Sequence, residues 1–174
     1  MAGLSGLLGA LLFFTGDMLF YGYVGSGAGF PAGMLATVAT DSSTRLFVGG
    51  LLGMPAACLC IVGFWHVRGN VSRSSPFLRE LLFLSFAAMM VAGSAIHVLW
   101  AAKGLAIKYC SDGSAPCSAA TAALRSYWSV AYDIGSAPGY VGAVLLILLV
   151  ALGKTRYPNW TVLANPAILL LLSP

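Results

Sequence analysis

Long apolar segments alternate with short polar ones along the chain, and this alternation predicts helices that cross a membrane. A hydrocarbon core about 30 Å thick takes about 20 apolar residues to cross, because each helical residue rises about 1.5 Å. Segments of this kind cover residues 4–24, 46–67, 77–102 and 136–153. We therefore expect residues 1–174 to form a single all-α membrane domain, a bundle of four transmembrane helices.

Two further apolar segments fit the pattern less well than the four spans. Residues 118–135 run into the fourth span without a clear break, and we expect an interfacial helix there. Pro138 then lies either in the first turn of the fourth span or at a kink in one continuous helix. The C-terminal segment, residues 160–174, is apolar but short and is interrupted by Pro166. It is a re-entrant or interfacial segment or part of a fifth span, and we favour the partial span.

The composition excludes most soluble functions. Hydrophobic residues make up 59% of the chain and charged residues only 8%, whereas soluble domains are roughly 45–50% apolar and about 25% charged. The nine Lys and Arg residues are scattered, so the net charge of +4 forms no basic face for nucleic acid. The expected partner is the lipid bilayer, with no nucleic acid. The sequence carries no nucleotide or metal-ligand motif, so we expect no cofactor and no bound metal.

The distribution of basic residues predicts which side of the membrane each loop occupies, since cytoplasmic loops carry an excess of Lys and Arg. Five such residues flank the linker between spans two and three or follow span four: Arg68, Arg73, Arg79, Lys154 and Arg156. Three others, Lys103, Lys108 and Arg125, argue for the opposite orientation. We expect the N-terminus in the cytoplasm, with loops 25–44 and 103–117 on the outer or lumenal side.

Two cysteines provide a separate indication of the same orientation. Cys110 and Cys117 bracket a six-residue polar loop, a separation that suits a local disulfide. Disulfides persist in oxidising compartments, and the basic residues already place this loop on the outer side. The alternative is a pair of free thiols near the interface, and we favour the disulfide.

Three ionisable residues inside or beside the spans are the strongest functional candidates. An ionisable group within a span costs at least a few kcal/mol, so its presence points to function. In the orientation above, Asp17 lies in the outer half of span one and His97 near the outer end of span three. Asp133 lies near the outer end of span four. Three segments therefore bring three ionisable groups to one level of the membrane.

Polar and aromatic residues surround these groups at helical spacing and predict a pocket in the outer leaflet. We expect five of them to contact substrate: Tyr21, Trp100, Tyr132, Ser136 and Tyr140. The ligand would be a small lipophilic molecule or a lipid, because the pocket opens among apolar helices.

The same residues also fit a structural interpretation. Asp17 would then pair with His97 or Arg125 to hold the helices together. Asp133 would be solvated at the interface, and the aromatic residues would form an interfacial belt. A ligand-sized cavity that joins Asp17, His97 and Asp133 would favour function over packing alone.

The chemistry of these groups predicts a membrane-embedded enzyme that performs acid/base chemistry on a small lipophilic substrate. The reaction would be of the isomerase, cyclase, lyase or hydrolase type. Asp17 and His97 would transfer the proton, and Asp133 would orient or assist. One alternative is a small transporter, channel or proton-coupled carrier that uses the same polar cluster. The other is a non-catalytic membrane subunit.

Glycines are frequent in spans one and two and predict close helix contacts. Gly49 and Gly53 have the small-residue spacing that lets two helix backbones approach each other. This contact serves either packing within the chain or a homo-oligomer formed through spans one and two.

Overall fold

The described part of the chain folds into four long helices. In this computed structural model the described residues are 1–22, 38, 40, 42–72, 75–110, 114–163 and 165, without the side chain of Tyr21. Over these residues the α-helices are α1 (Ala2–Tyr21), α2 (Ser43–Gly69), α3 (Pro76–Tyr109) and α4 (Ala115–Ala151). Each is long and apolar enough to cross a membrane, which confirms the predicted all-α membrane fold.

Some of the predictions fall on parts of the chain that the structure does not describe. Most of the 25–44 loop, Arg73 and residues 166–174 lie outside the described residues. The C-terminal segment is described only as far as a short 3-10 helix, Asn159–Val162, and Asn165 beyond it. The prediction of a partial fifth span therefore lies outside the described residues.

The helices begin where the local sequence supplies a start signal. The Ser42 hydroxyl accepts a hydrogen bond from the Arg45 amide at 3.2 Å, which satisfies one of the free N–H groups at the start of α2. Pro76 occupies the first turn of α3, and Pro116 that of α4. Proline is favoured there because an N–H in the first turn has no partner within the helix.

Helix α4 is continuous, which corrects the predicted division into an interfacial helix over 118–135 and a span over 136–153. It runs for 37 residues with Pro138 in its interior. At about 1.5 Å per residue it is about 55 Å long, so part of it extends beyond a hydrocarbon core of about 30 Å. Glycines on both sides of the proline, Gly135 and Gly142, pack against α3. This packing outweighs the single backbone hydrogen bond that proline removes.

Glycines bring α1, α2 and α3 unusually close together. A β-carbon at Gly6 would lie 3.0 Å from the Cα atom of Gly63, so the α1 and α2 backbones touch there. On the other side of α2, Gly50 and Gly53 have no side chain, and this lets α3 pack closely against the α2 backbone. The glycine-rich faces of spans one and two therefore serve packing within the chain, the first of the two uses that the sequence allowed.

The linker between α2 and α3 pairs with the segment that follows α4. The Ser72 amide donates to the Lys154 carbonyl at 2.8 Å, and the Arg156 amide donates to the Asn70 carbonyl at 3.0 Å. Four of the five basic residues that were predicted to share one side thus lie at one end of the bundle: Arg68, Arg79, Lys154 and Arg156. At this end the Arg68 guanidinium donates a hydrogen bond to the Glu80 carboxylate at 2.7 Å, and the two side chains form an ion pair.

The opposite end of the bundle carries the disulfide. Cys110 and Cys117 are bonded, with Cα atoms 5.2 Å apart, which confirms the predicted pairing. The hydroxyls of Ser43 and Tyr109 lie 2.7 Å apart and join the start of α2 to the end of α3. We call this the disulfide end, and the end at Glu80 the basic end.

The contact between Gly6 and Gly63 leads to a test of helix packing. In Gly63→Ala the new β-carbon would lie 2.6 Å from the Cα of Gly6. We expect the free energy of unfolding to fall by about 1–3 kcal/mol, as in other overpacked sites. Gly69→Ala, at the end of the same helix, meets no heavy atom within 4 Å and serves as the control. It should change stability by less than about 0.5 kcal/mol. Thermal unfolding in detergent micelles measures both, and equal losses in the two variants would contradict the contact.

Candidate functional site

A half-open cavity of about 760 Å³ lies between α1, α3 and α4, towards the disulfide end. Five of the residues singled out from the sequence line it: Asp17, His97, Trp100, Tyr132 and Ser136. Apolar side chains form most of the remaining wall, including Phe13, Phe20, Met89, Met90 and Ile96. The volume is in the range of small-molecule sites, and the mixture of apolar walls and a few polar groups is typical of them.

The cavity exists because α1 and α4 flank α3 without closing over it. Among the described residues the principal helix contacts join consecutive helices, α1 with α2, α2 with α3 and α3 with α4. A face of α3 therefore lies between the two outer helices.

His97, on α3, is partly buried in the wall of this cavity by contacts from α1 and α2. Its ring lies 4.9 Å from the ring of Phe13 and 5.5 Å from that of Phe20, centroid to centroid. On the other side Gly16 and Gly53 leave room for it, since a β-carbon at Gly53 would lie 2.7 Å from the His97 β-carbon. The glycines of α1 and α2 thus determine where the imidazole sits.

Asp17 and His97 are brought together as predicted. The His97 Nε2 and an Asp17 carboxylate oxygen lie 3.6 Å apart, with 13% of the histidine side chain and 39% of the aspartate side chain exposed. The distance is that of an ion pair rather than a direct hydrogen bond. Asp17 is the more accessible partner, so it is the group that a ligand in the cavity meets.

The surroundings of His97 favour one tautomer of its neutral ring. Nδ1 is buried and has no hydrogen-bond partner among the described residues. A proton on Nδ1 would be a buried donor without an acceptor, whereas a proton on Nε2 points towards the Asp17 carboxylate. The proton therefore belongs on Nε2.

Lys103 is the feature of the cavity that the sequence analysis missed. It is only 5% exposed, and its ammonium lies 3.7 Å from the centre of the Trp100 ring and 4.3 Å from that of Trp128. Aromatic faces attract cations, and the spacing of Trp100 and Lys103, three residues apart in one helix, could have indicated this contact. Arg125 lines the same cavity.

Two of the predicted site residues are not brought to the cavity. Asp133 is exposed on α4 and does not line it, and Tyr140, 57% exposed, does not line it either. Successive residues of a helix are rotated by about 100°, so Asp133 points away from the face that carries Tyr132. The side chain of Tyr21 lies outside the described residues.

The described part of the chain contains no group of three His, Cys, Asp or Glu side chains that could hold a metal ion. His66, the second histidine, is at the basic end, where its Nε2 lies 3.3 Å from the Asn70 amide nitrogen. The site can thus offer a carboxylate with a histidine partner, two cations, and apolar and aromatic walls.

Comparison with known proteins places the whole chain in one family. Residues 1–174 match the model of a family of unknown function, DUF6796. The chain belongs to this family. No curated protein and no solved structure matches it. Membership of DUF6796 brings no activity with it, so the site itself must supply the argument for function.

The two histidines should carry their protons on opposite nitrogens when both rings are neutral. We expect the Nε2–H form for His97, and the Nδ1–H form for His66, because the Asn70 amide donates to its Nε2. The Asn70 amide nitrogen is oriented by two further acceptors, the His66 carbonyl at 3.1 Å and the Tyr157 hydroxyl at 3.3 Å. Nitrogen-15 chemical shifts of histidine-labelled protein, at a pH that keeps both rings neutral, measure this directly. An Nδ1–H signal from His97 would overturn its pairing with Asp17.

Proposed function

We propose that this protein is a membrane-embedded enzyme that performs acid/base chemistry on a small lipophilic substrate. The observation that carries the proposal is the cavity of about 760 Å³ in which Asp17 and His97 meet beside apolar walls. An ionisable pair in an apolar membrane cavity is costly to maintain, and such groups commonly mark sites of proton transfer.

Asp17 is the catalytic acid or base in this proposal. Its carboxylate is 39% exposed and faces the cavity, so it can take a proton from a bound substrate or return one. His97 lies behind it, held by Phe13 and Gly53, and its Nε2 lies 3.6 Å from the carboxylate, within ion-pair distance when the ring is protonated. Removing a proton at one position and returning it at another is an isomerisation, and removing it with loss of a leaving group is a lyase reaction. Both need only this pair and a bound apolar molecule.

The packing at the basic end favours an enclosed site over a permeation path. Phe64 and Phe86 stack there with ring centroids 4.3 Å apart, and Leu82 and Leu149 are each only 1% exposed. A transporter or channel would need a route for its cargo through this layer. The remaining alternative, a non-catalytic subunit in which Asp17 and His97 only hold α1 against α3, predicts a different outcome when Asp17 is replaced.

The orientation of the protein is also part of the proposal, with the N-terminus in the cytoplasm and the cavity in the outer leaflet. The basic end carries Arg68, Arg79, Lys154 and Arg156, which favours the cytoplasm. Arg45 donates to the Met18 carbonyl at 3.2 Å and so joins the basic residues of the disulfide end. With Lys103, Lys108 and Arg125 there as well, four basic residues at the disulfide end match the four at the basic end. Only Arg73, assigned to the linker between α2 and α3 by its place in the sequence, gives the basic end an excess of one. The disulfide adds support, because it persists on the oxidising side.

Replacing Asp17 tests the enzymatic proposal. The purified protein in lipid nanodiscs is incubated with a lipid extract of its native membrane, and mass spectrometry identifies any lipid that is consumed or formed. We expect Asp17→Asn to lower that conversion by at least about 100-fold, the usual scale of acid/base catalysis, because an amide cannot exchange the proton. Asp133→Asn, at an exposed acidic residue outside the cavity, is the matched control and should keep full activity.

Two outcomes would contradict the enzymatic proposal. One is an absence of any conversion by the wild type. The other is equal conversion by Asp17→Asn and the wild type, with both proteins unfolding at the same temperature. A loss of stability in Asp17→Asn without any measurable conversion in the wild type would support the non-catalytic subunit.

Single cysteines at the two ends of the bundle test the orientation. Ala119→Cys lies near the start of α4 at the disulfide end, and Lys154→Cys lies at the basic end. Both are made in a chain whose free cysteines, Cys58 and Cys60, are replaced by alanine. In intact cells a membrane-impermeant maleimide should label Ala119→Cys and should reach Lys154→Cys only after lysis. Labelling in the reverse order would invert the topology.

A further inference from the structure

We infer that the substrate is a single-headed anionic amphiphile, whose anionic group binds at Lys103 and Arg125 while its apolar body fills the rest of the cavity. This assignment rests on the proposed enzymatic function and names its substrate class. The shared chemistry of the head is a small oxyanion, a phosphate or a carboxylate, attached to an apolar chain.

The first support is the state of Lys103. The residue is almost completely buried, and its ammonium lies over both the Trp100 and Trp128 rings, whose centroids are 4.9 Å apart. No carboxylate pairs with it among the described residues, since the salt bridges there involve Arg68, Arg79 and His97. Buried charges are normally paired, because removing an ion from water without a counter-charge is expensive. An anionic ligand group would supply the missing partner.

The second support is the balance of charge along the cavity wall. Lys103 and Arg125 are two cations on facing helices, and among the described residues Asp17 is the one carboxylate that lines the cavity. Asp17 is already occupied by His97 at 3.6 Å. The end of the cavity at Lys103 and Arg125 is therefore positive, and an oxyanion can accept charge-assisted hydrogen bonds from both side chains.

The third support is the separation between the cationic end and the proton-transfer pair. His97 and Lys103 are six residues apart in α3, which is about 9 Å along the helix axis. Trp100 lies between them on the same wall. A ligand that binds both must have an anionic head, an apolar body, and its reacting atom about 9 Å from the head. A free inorganic anion cannot reach from one to the other.

The fourth support is the adaptable apolar wall beyond His97. Met89 and Met90 line this part of the cavity together with Phe13. Methionine side chains are flexible and accommodate apolar ligands of varied shape. In a membrane the cationic end lies towards the disulfide end of the bundle and the apolar end towards its middle. An amphiphile in one leaflet has its head and chain arranged in the same order.

Quenching of tryptophan fluorescence by brominated ligands tests the assignment. The chain has four tryptophans, and Trp65→Phe with Trp160→Phe leaves only the two that flank Lys103. This protein, in nanodiscs of zwitterionic phosphatidylcholine, is titrated with a brominated single-chain alkyl phosphate and, separately, with the corresponding uncharged alcohol. We expect the phosphate to bind at least about tenfold more tightly than the alcohol, the scale of one charge-assisted hydrogen bond.

Variants then locate the preference for charge. Lys103→Gln should reduce the phosphate-to-alcohol ratio to near one, while Lys154→Gln, which removes a lysine at the opposite end, should leave it unchanged. Equal binding of the alkyl phosphate and the alcohol by the protein that keeps Lys103 overturns the inference. This comparison does not depend on whether Lys103→Gln folds. Competition by inorganic phosphate at the same concentration as the amphiphile also overturns it, because the site would then hold a free anion.

The same titration separates this inference from the enzymatic proposal. Asp17→Asn keeps Lys103 and Arg125, so it should still bind the alkyl phosphate more tightly than the alcohol even though it no longer converts substrate. If Lys103→Gln leaves the phosphate-to-alcohol ratio unchanged, the inference of an anionic head at Lys103 is wrong, while the proposed acid/base chemistry is unaffected. Conversion that persists in Asp17→Asn overturns the enzyme and leaves the anionic binding site standing.

Discussion

The structure depends on how closely the backbones of α1, α2 and α3 approach one another. In lipid the hydrophobic effect does little to bring helices together, so close van der Waals packing at small residues provides much of the stability of the bundle. Gly16 of α1 and Gly53 of α2 leave a space that the His97 ring fills. The ring then meets Asp17 on the remaining side. Larger residues at either glycine would separate the helices and remove the pair that defines the site.

The helical spans could be predicted from the sequence because the bilayer imposes a minimum length of apolar residues. The disulfide could be predicted because a short polar loop determines how far Cys110 and Cys117 can separate. The continuity of α4 could not be predicted in the same way. Pro138 is compatible with a break or with a continuous helix, and the choice is made by packing of Gly135 and Gly142 on α3, which a single sequence does not contain.

The candidate site was predictable in part for the same reasons. Asp17 and His97 stand out because they are ionisable residues in apolar surroundings. Lys103 does not, because a lysine near the end of a span normally belongs to the solvated loop that follows. Its burial against two indole rings arises only when α3 and α4 meet. Asp133 shows the converse: its depth along the chain is similar to that of the pair, but its direction around α4 is different. How deep a residue lies in the membrane follows from its position in the sequence. Which way its side chain points depends on how the helix is rotated about its axis when it packs.

The way α4 is attached limits how the cavity can change shape. At one end the Cys110–Cys117 bond ties the start of α4 to the end of α3. At the other end Ser72 and Lys154 pair through their backbones and hold the end of α4 beside the start of α3. A helix held at both ends in this way has little freedom to move away from its neighbour, so α4 stays in place beside α3. In the described part of the chain, α1 is joined to α2 by side-by-side packing and by the Arg45 hydrogen bond to the Met18 carbonyl. A tilt of α1 away from α3 would widen the cavity and would also draw Asp17 away from His97. Under the proposed function, a ligand too large for the resting cavity would separate Asp17 from His97 as it binds, and substrates would be selected by size as well as by charge.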